Sequence, residues 1–196
     1  MVPGALEPVL GAAAIAIGGS TGSVSVIGAI LEALSDRSPA VLIVVHVPSE
    51  PLTRLSSLFA RQTRLSVHEV EHGMPIQRGH VYVAPANYHF LVERSQSCAL
   101  SIAPPEHFSR PAIDALFESA ADVYEKHLIG VLLTGASHDG AQGLQAIRRR
   151  GGKAIVQDPT TAASRIMPDA GLNAVPDALV VPAFQLPKTL APIVAS

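Results

Sequence analysis

Five residues near the start of the chain have the types and spacing of a serine nucleophile on a sharp turn. Gly18-Gly19-Ser20-Thr21-Gly22 fits the pattern G-x-S-x-G, which places a serine between a strand and a helix. Glycine allows the positive φ angles and the close backbone approach that such a turn requires. The free N–H groups and the positive dipole end of the following helix then favour negative charge on a bound substrate.

The pattern alone does not identify a nucleophile, because it is short and also fits a phosphate-binding turn or a plain strand–helix connection. Its glycine spacing differs from G-x-G-x-x-G, and it lacks the lysine of a Walker loop. Whether Ser20 reacts therefore depends on whether a base and an acid accompany it.

Apolar runs and helical patterns alternate along most of the chain. Apolar runs predict strands at 12–17, 40–45, 65–70, 80–84, 88–93, 98–102, 128–134, 153–157 and 178–182. Helical periodicity predicts helices at 24–34, 52–61, 111–124, 141–150 and 186–194, with Pro111 at the first helical position. A further short helix within 160–172 is expected to break near Pro168. This order predicts an α/β fold with a doubly wound, mostly parallel sheet, helices on both faces and an inserted antiparallel β-hairpin.

Three polar residues follow predicted strands of this sheet directly or within a short loop. Ser20 follows the first strand, His46 the second, and Asp139 the strand at 128–134. Ligands of such sheets bind beyond the carboxyl ends of the strands, near a topological switch point. We therefore interpret the three as a catalytic triad, in which His46 takes the proton of Ser20 and Asp139 orients the imidazole and stabilises its cation.

Each partner of Ser20 also has a structural alternative. His46 could be a structural histidine at a strand end, and Asp139 could cap the helix at 141–150. His138 is a second candidate base, but it is the direct neighbour of Asp139 and so is poorly placed to be oriented by it while facing Ser20. The α/β-hydrolase fold is disfavoured, because it needs the order serine, acid, histidine, and no histidine follows His138.

One segment formally matches the zinc motif H-E-x-x-H, namely His68-Glu69-Val70-Glu71-His72. That motif needs a helix, whereas this segment has β-like alternation, which would separate the two histidines by about 13 Å. We therefore expect no metal site there, and we expect no metal or cofactor elsewhere. Three further residues are expected at the surface or at a pocket rim rather than in catalysis: Tyr88, His89 and His107.

The composition predicts a single folded domain over residues 1–196, with a core from about 12 to 195. Of the 196 residues, 48% are hydrophobic and 15% charged, and the net charge is about −2. No long run of lysine and arginine indicates nucleic acid binding, and no apolar run approaches the ~18 residues that a membrane span needs. Cys98 is the single cysteine, so the chain has no internal disulfide and fits a cytoplasmic location.

Taken together, these segments resemble the catalytic domain family of protein-glutamate methylesterase (CheB) of bacterial chemotaxis. Six segments carry the resemblance in family order: Ile17-Gly-Gly-Ser-Thr-Gly22; Val44-Val-His-Val-Pro48; Gly79-His-Val-Tyr-Val-Ala-Pro85 with Tyr88-His89; Arg110-Pro-Ala-Ile-Asp114 with Leu116-Phe117; Leu133-Thr-Gly-Ala-Ser-His-Asp-Gly-Ala141; and Gln157-Asp-Pro159 with Met167-Pro168.

The resemblance implies a cofactor-free serine esterase. Its substrates would be methylated glutamates in the cytoplasmic domains of chemoreceptors, with methanol as product and glutamine deamidation as a companion activity. The family's serine, histidine and aspartate fall on Ser20, His46 and Asp139, and its oxyanion donors would be backbone N–H groups near Thr21 and Ala136.

The chain also departs from the family pattern. Ser23 stands where the family usually has a second glycine, and Ala136-Ser137 stand where it has Met-Gly. Only about eleven residues precede the first predicted strand, so we expect a stand-alone domain without a receiver domain, acting with a separate regulator or methyltransferase. Two alternatives follow: a related carboxyl-ester hydrolase with a substrate outside chemotaxis, or a non-catalytic domain that binds receptors or a partner protein.

Overall fold

Seven parallel strands form the central sheet within residues 12–46 and 54–193, the part of the chain that this computed structural model describes. The strands of the structure are β1 (Ala14–Gly19), β2 (Ala40–Val45), β3 (Ser66–Glu69), β4 (His80–Val83), β5 (His89–Val92), β6 (Cys98–Ser101), β7 (Leu128–Leu132), β8 (Lys153–Gln157) and β9 (Leu179–Val181). The order across the central sheet is β3-β4-β2-β1-β7-β8-β9, and β5 and β6 pair separately as an antiparallel hairpin. The predicted fold is therefore confirmed.

Helices cover both faces of the sheet. Those on one face, together with the hairpin, are α3 (Ile113–Tyr124), α4 (Ala141–Arg149) and α5 (Ile166–Ala174); those on the other are α1 (Ser23–Ala33), α2 (Leu55–Ala60) and α6 (Leu186–Leu190). The alternation of side chains along β1 explains this division, because Ala14 and Ala16 contact the first group and Ile15 and Ile17 the second. None of the helices in the described ranges is long and apolar enough to cross a membrane.

Most observed elements differ from the predicted bounds by a few residues, and three of the differences have a clear physical reason. β1 continues to Gly19, because Gly18 and Gly19 still pair in parallel with the last residues of β2. α3 begins at Ile113, so Pro111 precedes the helix instead of opening it. Pro168 does not break α5: it is the third helical residue, where the backbone needs no N–H donor. α2 begins at Leu55 and α6 ends at Leu190, so both are shorter than the helices predicted at 52–61 and 186–194. Of these predicted ranges, only residues 52–53 and 194 lie outside the described residues.

The end of β1 lies unusually close to the start of α3. A Cβ placed on Gly18 would be 2.3 Å from Cγ2 of Ile113, much closer than two carbon atoms can approach. The absence of a side chain at Gly18 therefore allows the first turn of α3 to lie against the strand that leads to Ser20.

We predict that this close contact is energetically coupled. Gly18→Ala should destabilise the fold by about 1–3 kcal/mol through overpacking, and Ile113→Ala by about 2–5 kcal/mol through a cavity. In the double variant the new methyl group would fill part of that cavity, so the combined loss should be smaller than the sum. Urea denaturation gives the free energies of unfolding of the parent, the two single variants and the double variant. If the loss in the double variant equals the sum of the two single losses within about 0.5 kcal/mol, the contact is not coupled.

Candidate active site

Ser20 lies on a turn that is held by the backbone. Its N–H donates to the carbonyl of Thr134 at 2.9 Å, and its own carbonyl accepts from the N–H and the hydroxyl of Ser23 at 3.0 and 2.8 Å. Gly22 caps α1 with a φ of 82°, a conformation that favours glycine. Ser23, which departs from the family pattern, thus contributes a hydrogen bond that closes the turn. The Ser20 hydroxyl makes no side-chain hydrogen bond to any described residue.

His46 lies directly beside Ser20 at the same edge of the sheet. The register of β1 and β2 pairs Gly19 with Val45, and the N–H of His46 donates to the carbonyl of Gly19 at 3.0 Å. Neighbouring strands are about 4.8 Å apart. The serine and the histidine are therefore adjacent because their strands are paired.

Asp139 is fully buried and its carboxylate accepts three hydrogen bonds. Its Oδ2 lies 2.7 Å from Nε2 of His46 and accepts from the N–H of Ile113 at 2.6 Å, while Oδ1 accepts from the N–H of Asp114 at 2.9 Å. Burial alone would raise the pKa of Asp139, but these hydrogen bonds outweigh it and hold the pKa below its usual value. Asp139 is therefore an anion that fixes the histidine ring.

This contact determines which nitrogen of His46 can act as a base. An ionised carboxylate only accepts hydrogen bonds, so Nε2 carries the proton in the neutral ring and Nδ1 carries the lone pair. Nδ1 lies 3.4 Å from the hydroxyl of Ser109, a long contact. The basic nitrogen is thus on the side of the ring opposite to Asp139.

The alternatives for Asp139 and for the base do not match this geometry. Gly140 occupies the N-cap position of α4, and the Asp139 side chain binds α3 and His46 instead. His138 is exposed and makes no side-chain hydrogen bond within the described residues.

The two histidines of the zinc-like motif do not share a helix face. His68 lies in β3 and stacks on His80, with Nε2 2.9 Å from Nδ1 of that ring. His72 lies beyond the strand, and its Nδ1 accepts from the N–H of Leu100 at 3.3 Å.

The expectation that His89 lies at the surface or a pocket rim is wrong. His89 is 1% exposed, and its ring bridges two ends of a loop: the N–H of Ala112 donates to Nδ1 at 3.2 Å, and Nε2 donates to the carbonyl of Pro104 at 3.1 Å. It is therefore a buried structural histidine that holds the segment leading into α3. A polar ring can be buried here because both nitrogens are hydrogen-bonded.

Asp114 is a buried carboxyl beside the site that sequence analysis did not single out. Its Oδ1 accepts from the N–H of Gly143 at 2.7 Å, and its Oδ2 lies 3.4 Å from Nε2 of His107. Burial and the nearby charge of Asp139 raise the pKa of Asp114 to about 7, although the hydrogen bond from Gly143 acts in the opposite direction and lowers it. One sequence signal could have indicated its burial: Asp114 lies three positions before Phe117 in α3, and residues with this spacing share a helix face, which here is the buried one.

His107, Asp114 and Asp139 form a group of side chains that could surround a cation, since their ligand atoms lie within 4.8 Å of one another. Asp139, however, already accepts from three donors. The described contacts are thus those of an acid pair with a neighbouring histidine.

The fold and this site define a class of protein. A parallel α/β sheet that carries a serine, a histidine and a buried aspartate at neighbouring strand ends has the geometry of a serine hydrolase. Comparisons with known proteins narrow the class. A sequence model of the CheB methylesterase family matches residues 15–190. The chain belongs to the CheB methylesterase family.

Relatives and a solved structure agree with this assignment. The chain is 42% identical over 162 residues to a Leptospira interrogans protein named "Putative protein-glutamate methylesterase/protein-glutamine glutaminase", covering 82% of this chain and 84% of that protein. It is 39% identical over 155 residues to a Symbiobacterium thermophilum protein-glutamate methylesterase/protein-glutamine glutaminase, covering 79% of this chain and 43% of the relative. The Thermotoga maritima CheB methylesterase catalytic domain superposes with a TM-score of 0.86 at 28% identity, covering 93% of this chain and 98% of that structure.

We predict that Asp114 makes stability depend on pH in a specific direction. A carboxyl whose pKa rises on folding from 3.8 to about 7 binds more protons in the native state, so its contribution is present at low pH and is lost as pH rises towards 7. Asp114→Asn cannot ionise and should therefore gain stability relative to the parent between pH 5 and pH 8.

Urea denaturation of both proteins at each pH measures this difference. The amide oxygen introduced by Asp114→Asn can still accept from Gly143, so packing is conserved. A difference between variant and parent that stays the same at pH 5 and pH 8 would show that Asp114 titrates alike in the folded and unfolded chain.

Proposed function

We propose that this chain hydrolyses the methyl esters of glutamate side chains in chemoreceptors, releasing methanol, and that the same site deamidates glutamine. The observation that carries the proposal is the pairing of His46 with the buried Asp139, directly beside Ser20, in a chain of the CheB methylesterase family. The names of its relatives state both activities. As a catalytic triad, Ser20 is the nucleophile, His46 the base and Asp139 the orienting acid.

The proposed reaction uses these three groups in turn. Ser20 Oγ attacks the ester carbonyl while its proton passes to Nδ1 of His46, and Asp139 stabilises the resulting imidazolium through Nε2. The tetrahedral intermediate collapses, and the imidazolium gives its proton to the departing methoxide, which leaves as methanol. Water then attacks the acyl-enzyme with His46 as base, which frees the glutamate and restores Ser20. With a glutamine substrate the leaving group is ammonia.

The oxyanion would be held by the backbone N–H groups of Thr21 and Ala136. Both residues are exposed, and neither N–H donates to an acceptor in the described part of the chain. Thr21 follows Ser20 in the chain. Ala136 follows Gly135, which lies against the nucleophile, since a Cβ on Gly135 would be 2.9 Å from Cβ of Ser20. Backbone donors do not depend on side-chain identity, so Ala136 can replace the family's usual methionine without loss of the donor.

The domain, location and partners of this activity also belong to the proposal. We propose that residues 1–196 act as one catalytic domain, in the cytoplasm, on the cytoplasmic parts of receptors. The family match over residues 15–190 and the buried free thiol of Cys98 support this. A separate regulator or methyltransferase as partner stays a prediction.

The direct test is methanol release from membranes that carry methylated chemoreceptors. Ser20→Ala and Asp139→Asn should each lower kcat by about 10⁴-fold or more, because they remove the nucleophile and the group that fixes the histidine tautomer. Ser25→Ala is the matched control, since Ser25 is an exposed serine of α1, and it should retain the parent rate.

Labelling by a serine-directed phosphonate separates the alternatives. No methanol from the parent, together with labelling of Ser20, would indicate a serine hydrolase with another substrate. Absence of both methanol and labelling would indicate a binding domain, and full activity in the Ser20→Ala variant would refute the assignment of the nucleophile.

A second prediction concerns the oxyanion donors. Thr21→Val removes the hydroxyl but keeps the backbone N–H, so methanol release should stay within about threefold of the parent. Loss of an oxyanion donor typically costs about 10²–10³ in kcat. A fall of that size in Thr21→Val would mean that the side chain, rather than the backbone, stabilises the intermediate.

A further inference from the structure

A fully exposed aromatic side chain lies at the rim of the site. Phe108 has a relative exposure of 104%. It lies at the tip of a tight turn over residues 106–109, in which Glu106 and Ser109 exchange backbone hydrogen bonds of 3.1 and 2.8 Å. Both central residues, His107 and Phe108, have positive φ angles, of 47° and 63°. Asparagine and glycine favour such positions, and phenylalanine does not.

The loop that carries this turn is anchored on both sides, so the phenyl ring projects from an ordered support. The Arg110 guanidinium donates to the carbonyls of Ile102 and Ala103 at 3.0 and 3.1 Å, and the carbonyl of Arg110 accepts from Asn87 at 3.2 Å. His89 binds the same loop at Pro104 and Ala112, as described above.

The turn is continuous with the candidate active site. Ser109 contacts Nδ1 of His46. A cleft of about 250 Å³ beside it is lined by His46, Asn87, Pro105, Phe108, Ser109, Arg110 and Pro111. A cleft of this size can accept one side chain, so the rest of a protein substrate must lie outside it, against the rim.

The rim has a definite chemistry. Phe108 and Ile102, which is 75% exposed, offer apolar surface on one loop. Arg110 adds a positive charge, and its Nε is a buried donor without a partner among the described residues. Glu106, which is exposed in the same turn, offsets this charge. The distinctive feature of the rim is therefore its apolar surface, which complements an apolar side chain of a polypeptide.

We infer that Phe108 is the docking residue for the protein substrate: it packs against an apolar side chain of the segment that carries the esterified glutamate. This inference rests on the proposed function. Since Phe108 lies outside the reacting groups, it contributes binding that is the same in the ground state and the transition state. Loss of such binding raises KM and leaves kcat nearly unchanged.

The test compares Phe108→Ala with Phe184→Ala in the full chain, on membranes with methylated receptors. Phe184 is the matched control, because it is 75% exposed and follows the edge strand β9, whereas Ser20 follows the central strand β1. Phe108→Ala should lower kcat/KM about tenfold through KM, as truncation of an aromatic anchor typically does, and Phe108→Leu should recover part of the loss. Phe184→Ala should stay within about twofold of the parent.

Labelling of Ser20 by a small phosphonate distinguishes docking from damage to the site. The labelling rate should fall far less than kcat/KM in Phe108→Ala, because the small probe does not reach the rim. Any of three results would overturn the inference. The labelling rate could fall as much as kcat/KM in Phe108→Ala, the two alanine variants could lose the same activity, or KM could stay unchanged in Phe108→Ala. If the parent itself releases no methanol while Ser20 is labelled, the proposed function fails, and the inference fails with it.

Discussion

The buried carboxylate of Asp139 is the constraint on which the rest of the site depends. A charge without solvent is costly unless it is paired and hydrogen-bonded. Here the compensation comes from the first N–H groups of α3, at Ile113 and Asp114, and from His46, and the positive end of the α3 dipole adds to it. The buried anion therefore depends on α3 beginning close to the carboxyl end of β1. The absence of a side chain at Gly18 permits this close approach.

The same helix turn brings a second carboxyl next to the first. Two neighbouring buried acids cannot both ionise easily, and their environments push their pKa values apart. Asp139 receives three donors and has a lowered pKa, whereas burial raises that of Asp114 to about 7. Their effects on stability have opposite signs: that of Asp139 is lost as pH falls through its lowered pKa, and that of Asp114 as pH rises towards 7.

Sequence reasoning works where a local pattern or the order of the strands decides a position, and it fails where a contact depends on how loops and helix ends pack. The run at 40–45 has the apolar residues of a strand buried on both faces, and strand pairing then brings Ser20 beside His46. No local pattern indicates that Ile113 donates to Asp139, 26 positions away, or that both nitrogens of His89 find partners in a later loop. For the same reason Asp114 was not recognised, since its burial depends on Gly143 of another helix.

The orientation of His46 connects the acid to the rim of the site. Because Nε2 is hydrogen-bonded to Asp139, only Nδ1 of His46 can take a proton. The hydroxyl of Ser109 lies 3.4 Å from Nδ1, and the hydroxyl of Ser20 has no side-chain partner among the described residues. Catalytic hydrogen bonds are often long or poorly aligned before substrate binds. Ser109 and Phe108 belong to one four-residue turn, closed by paired backbone hydrogen bonds. The apolar side chain proposed for docking and the hydroxyl nearest to Nδ1 are therefore held in a fixed relation by one short backbone segment, so that a polypeptide docked on Phe108 lies next to His46 without any movement of the site.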